Sequence, residues 1–160
     1  MGGDAGWNNG WALLAGPGLD VEKLEVCAMA LGIAEAAVAD AWNYAEERRQ
    51  FSQAISHFQT IRHMLADAKT DLYACRLMLY HAAHLAQENK PCGIESSMAK
   101  LFICERAKAI VLNCQMILGA YGCDKEFDMQ RYVRDILILP IAGGSSAIQR
   151  NNIAKRLRLA

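Results

Sequence analysis

Residues 19–49, LDVEKLEVCAMALGIAEAAVADAWNYAEERR, decide the fold class. Leu24, Cys27, Ala28, Leu31, Ala34, Val38, Ala41, Trp42 and Ala45 recur by threes and fours, which puts them on one stripe of an α-helix. Asp20 reads as the N-cap, Pro17-Gly18 stops backward extension, and the helix is expected to end near Arg49.

The same period continues outward. Ile61, Met64, Leu65, Ala68, Leu72, Cys75, Leu79 and Ala82 predict a second helix over 59–87, ended by Asn89, Pro91 and Gly93, with 51–58 as a short connection. Ser96 is the expected N-cap of a third helix, whose inner face is Ile103, Ala107, Ile110, Cys114 and Ile117 and which breaks at Gly119-Ala120-Tyr121-Gly122. A short helix is expected over 128–135, a turn at Gly143-Gly144-Ser145-Ser146 and a last helix over 146–157. No strand alternation competes, so the fold class is all-α, an up-and-down four-helix bundle. Residues 1–18, rich in Gly and Trp, lack helical period.

Composition agrees. The chain has 160 residues, 53% hydrophobic, with 17 basic and 17 acidic side chains. That suits one packed domain and disfavours disorder or a nucleic-acid binder. No apolar run reaches the roughly 20 residues of a membrane span, and no signal peptide is expected. The expected location is the bacterial cytoplasm, or the mitochondrial matrix of a eukaryote. The six cysteines stand singly, without Cys-x-x-Cys, and read as reduced core residues.

The residues alone offer little chemistry. His81, His84 and Glu88 share a helix face, but surface histidines are the simpler reading of them. The Gly143–Ser146 turn presents backbone N–H groups to an anion or is an ordinary cap. Glu46 to Arg49 reads as a self-paired helix end, and Arg150, Lys155, Arg156 and Arg158 as complements to a helix dipole.

Five segments taken together say more. They are Arg48-Arg49-Gln50-Phe51 with Ile55, Phe58-Gln59 and 63–66; Ser97-Met98-Ala99-Lys100-Leu101-Phe102; Ile117 to Gly122; Arg131-Tyr132-Val133-Arg134-Asp135; and Gly144 to Arg150. In order and spacing they resemble the C-terminal domain of flavin-dependent acyl-CoA dehydrogenases. The resemblance implies that residues 1–18 connect from a preceding β-domain and residues 19–160 form the helical bundle. It implies FAD as cofactor, an acyl-CoA thioester as substrate, electron-transfer flavoprotein as acceptor, and a homo-oligomer. Arg48, Phe51, Gln59, Met116, Gly119, Ala120 and Ser145 fall on positions that contact FAD, Met116 replacing the family's glutamine and Ser145 its threonine.

The usual catalytic glutamate precedes Gly-Thr-Ser, and Gly143 occupies that position. A subclass that includes isovaleryl-CoA and long-chain acyl-CoA dehydrogenases carries its base on the first helix of this domain, in a motif similar to Leu19 to Lys23. The resemblance therefore implies Glu22 as catalytic base, with Asp20, Lys23, Gly143 and Gly144 beside the substrate. The plain alternative for Glu22 is a first-turn acid favoured by the helix dipole. Two other functions fit the same pattern: a non-catalytic helical module for oligomerisation or partner binding, and an enoyl-CoA reductase of the same family.

Overall fold

The computed structural model describes residues 3, 6–10 and 17–159. The expected connecting segment therefore lies largely outside the described residues. Five helices build the rest: α1 (Pro17–Glu47), α2 (Gln59–Gln87), α3 (Gly93–Leu118), α4 (Met129–Ile136) and α5 (Ser146–Arg156). The fold is all-α, as its periodicity requires.

α1 begins earlier than expected. Pro17 opens the helix instead of blocking it, because a first-turn residue needs no N–H acceptor. Asp20 is thereby a first-turn residue and not the cap. The buried face of α1 is also rotated slightly. Leu24, Cys27, Leu31, Ala34, Val38, Ala41 and Ala45 are buried as expected, but Ala30 and Ala37 join them in place of Ala28 and Trp42. Trp42 lies at the surface, where its indole N–H donates to Glu46 Oε1 at 3.0 Å and Lys69 Nζ stands 5.6 Å from its ring centroid.

α3 is the central helix. It packs most extensively on α1 and also meets α2, α4 and α5. Ile103, Cys104, Ala107, Ile110, Val111, Cys114 and Leu118 are all buried, so α3 is enclosed on several sides rather than along one stripe. It starts three residues before the expected cap. Ser96 is inside the helix, fully buried, with its hydroxyl 3.3 Å from Asp20 Oδ1 and 3.4 Å from the Gly93 carbonyl. On α2, Leu65, Ala68, Leu72, Cys75, Leu79 and Ala82 face the core.

The connection between α1 and α2 holds a feature absent from the sequence reading. Arg49–Gln50 (β1) and Gln53–Ala54 (β2) pair antiparallel in the register Arg49↔Ala54 and Gln50↔Gln53, followed by a 3-10 turn over Ile55–His57. α3 ends at Gly119, whose φ of 61° and ψ of −132° suit glycine alone. Its N–H closes the helix on the carbonyls of Gln115 and Met116.

Candidate functional site

The expected site residues occupy two places. One set gathers at the first turns of α1. Lys23 points inward: its Nζ, 5% exposed as a residue, lies 2.7 Å from Asp20 Oδ1 and 3.2 Å from Ser97 Oγ. The Asp20 carboxylate also meets Ser96 and, at 3.6 Å, the Arg156 guanidinium of α5. A buried ammonium needs such partners, and this cluster ties α1, α3 and α5 together. Gly93 leaves room for it, because a Cβ there would overlap the Arg156 guanidinium.

One residue before Lys23, the helix turns Glu22 to the exposed side. Among the described residues no hydrogen bond or ion pair engages its carboxylate. Opposite stands the Gly143-Gly144 turn, with both residues at positive φ, 63° and 90°. A Cβ built on Gly143 would lie 3.4 Å from Val26 Cγ2, 3.5 Å from Lys100 Cε and 3.7 Å from Glu22 Oε1. A side chain at position 143 would thus start in contact with the Glu22 carboxylate. Ser145 is the N-cap of α5, and its Oγ accepts from the Ile148 N–H at 3.4 Å.

The other set lies past the far end of α1. Arg48 has its guanidinium carbon 5.5 Å from the Tyr121 ring centroid and no carboxylate partner among the described residues. This contact joins Arg48 to the Gly119–Cys123 segment, next to the exposed Ala120 and Met116. Phe51 is 88% exposed at φ 50°, an unusual state for a bulky residue, and packs edge-on against Phe58 at 6.1 Å. Gln59 follows directly, its amide 3.4 Å from His63 Nε2.

Twenty-six residues of sequence separate Glu22 from Arg48, and at 1.5 Å per helical residue the two stand about 39 Å apart. The structure therefore brings Glu22, Gly143, Gly144 and Ser145 together, and places Arg48, Phe51, Gln59, Met116, Gly119 and Ala120 at the other end of the bundle. It does not join the two sets within one chain. His81 and His84 are exposed. Sequence reasoning assigns no role to Lys100 and Gln149, which fall within the family-like segments 97–102 and 144–150 and are buried beside the Gly143 turn.

A profile of the acyl-CoA dehydrogenase C-terminal domain matches residues 8–158. The chain belongs to the acyl-CoA dehydrogenase family. It aligns with the acyl-CoA dehydrogenase of Bacillus subtilis at 41% identity over 139 residues, 87% of this chain and 37% of that protein. It aligns with the caffeyl-CoA reductase-Etf complex subunit CarC of Acetobacterium woodii at 38% identity over 139 residues, again 87% and 37%. A structure of PigA with FAD and proline superposes with a TM-score of 0.84 at 29% identity, covering 88% of this chain and 37% of that one. This acyl-CoA dehydrogenase domain thus spans 37% of the length of these two curated relatives. Among its described residues no helix is long and apolar enough to cross a membrane.

Proposed function

We propose that this domain serves a flavoenzyme that forms the α,β double bond of an acyl-CoA thioester, with Glu22 as its base. The observation that carries this reading is the contact between Glu22 and position 143. The two carboxylate positions that the family's subclasses use face one another here, and the chain fills only one of them, with Glu22. The unpaired carboxylate is free to take the α-proton of a substrate laid against the Gly143 backbone, giving a carboxylic acid on Glu22. Asp20 and Lys23 fix the helical turn that carries it.

The second set fits FAD. Arg48, beside the Tyr121 ring and without a carboxylate partner among the described residues, offers its fork to a pyrophosphate, and the Gly119 backbone has open space where a Cβ would stand. Phe51, Gln59, Met116 and Ala120 lie at the same end of the bundle and would help to hold FAD, and Ser145, at the Glu22 end, would contact the flavin there. When bound, FAD supplies the acceptor for the hydride leaving the β-carbon. The distance between the two sets means that a flavin touching Arg48 of one copy meets Glu22 of another, so a homo-oligomer is part of the proposal. Electron-transfer flavoprotein is the proposed acceptor, in line with the Etf-complex name of the CarC relative. The bacterial cytoplasm or the mitochondrial matrix suits this chemistry.

The reductase relative supports the reverse reading, in which Glu22 returns a proton to the α-carbon of an enoyl thioester. Assays in both directions separate the two. The base assignment is tested in full-length enzyme by anaerobic flavin bleaching with acyl-CoA. Glu22→Gln is expected to keep FAD yet slow bleaching about a hundredfold or more, and bleaching at the wild-type rate refutes it.

A further inference from the structure

Behind the Gly143 turn lie two side chains that the proton transfer does not touch. Lys100 is 1% exposed and Gln149 is completely buried. A buried ammonium must find acceptors, and Lys100 Nζ donates to the Gly144 carbonyl at 2.8 Å and the Leu139 carbonyl at 3.3 Å. The Gln149 amide donates to the Gly144 carbonyl at 2.9 Å and the Gly143 carbonyl at 3.3 Å. Gly144 O therefore takes a donor from each, and three carbonyls of this turn are drawn inward.

Position 143 neighbours both Lys100 and Glu22. Its Cβ point lies 3.5 Å from Lys100 Cε and 3.7 Å from Glu22 Oε1. Gly143 and Gly144 have no side chains to anchor them, and both adopt positive φ, so their peptide planes need outside support. A Cβ on Gly144 would come within 2.8 Å of Gln149 Nε2, so the amide lies directly on that backbone.

Stability alone does not account for the choice of residues. Gln149 Oε1 is buried without a hydrogen-bond partner. An orphan acceptor costs free energy that an apolar residue of similar length avoids. Its presence is explained if the amide's two donations matter more than its orphan oxygen.

We infer that Lys100 and Gln149 are positioning residues. They clamp the carbonyls of Leu139, Gly143 and Gly144 so that the Gly143 backbone holds the substrate's α-carbon at the Glu22 carboxylate. The inference rests on the reading of Glu22 as base.

The test uses flavin-loaded full-length enzyme carrying this domain. Gln149→Met, Lys100→Met and Lys100→Arg are compared for flavin content, unfolding midpoint, acyl-CoA affinity and bleaching rate at saturating substrate. Gln149→Met removes both donations and the orphan oxygen together. It is expected to hold its flavin, midpoint and affinity while bleaching slows about tenfold or more, the effect of a slightly misplaced reacting atom. Lys100→Met is expected to slow bleaching further, and Lys100→Arg to recover part of the rate. Wild-type bleaching by Gln149→Met, or slowing that only tracks lost flavin, overturns the inference. Because Lys100→Met removes a buried charge, Gln149→Met decides the matter should that variant not fold. Glu22→Gln runs alongside: if it bleaches normally the base assignment has failed, whereas a slow Glu22→Gln with a normal Gln149→Met defeats the clamp alone.

Discussion

Glu22 Oε1 stands 3.7 Å from the point where a side chain of residue 143 would begin. Carboxylates at the two positions would therefore reach into the same small volume. In full-length enzyme, Glu22→Gln with Gly143→Glu is expected to regain part of the bleaching rate lost by Glu22→Gln alone. The regain comes with a lower unfolding midpoint, because a residue other than glycine at φ 63° costs about 1–2 kcal/mol. A double variant as slow as the single one, with normal FAD content, counts against a shared target proton.

Lys23 and Asp20 offer a second check, on the isolated chain. Their 2.7 Å ion pair is largely buried, with side chains 7% and 15% exposed. Lys23→Met leaves Asp20 to Ser96 and the more distant Arg156, and should lower unfolding stability by about 1–3 kcal/mol. Chemical denaturation without substrate reads this directly. No loss of stability would mean that the Lys23–Asp20 pair does not help to hold α1 on α3.

The isolated chain should hold little FAD and show no dehydrogenase activity. It spans 37% of the length of two curated relatives, and Arg48, Phe51, Gln59 and Ser145 would offer only part of a cofactor site. Stoichiometric flavin absorbance in purified 160-residue protein would contradict this.

Self-association is expected as well. Tyr73, Leu77 and Tyr80 are 64%, 54% and 66% exposed and follow one another along α2 at helical spacing. Such a patch favours pairing. Sedimentation should show a dimer or larger assembly, shifted toward monomer by Leu77→Glu. A clean monomer of the unmodified chain at high concentration would rule the patch out.

The thiols predict a pH response. Burial pushes Cys75 and Cys104 up to about 11 and Cys114 to about 12, and raises Cys27 further. The folded state thus holds these protons after the unfolded chain has released them. Their contribution is complete below about pH 9 and fades as pH climbs through 11 to 12. Thermal midpoints should fall across that window. Alkylation of native protein near pH 8 should label exposed Cys123 and spare these four.

Much of the fold was legible because α1 and α2 each bury one continuous stripe. Legibility ended where a residue's partner is remote in sequence. Ser96 looked like a cap because serine usually is one, but its hydroxyl answers Asp20, 76 residues away. The hairpin at 49–54 is not legible in the sequence because its central pair, Phe51-Ser52, adopts positive φ without the glycine or asparagine that normally signals such a turn. At the site, Glu22 is singled out in the sequence by the family resemblance and the glycine at 143, whereas Lys100 and Gln149 bond to backbone carbonyls and leave no side-chain pattern to read.

With Glu22 as base and Arg48 as the FAD-binding fork of a neighbouring copy, as proposed, the length of α1 has a genetic consequence. Chains crippled at Glu22 and chains crippled at Arg48 are defective at opposite ends of the same rod. Co-expressed as full-length subunits, they would assemble mixed pairs in which one flavin is flanked by both lesions and the other by none. Two dead alleles would then complement each other, while two lesions at the same end would not.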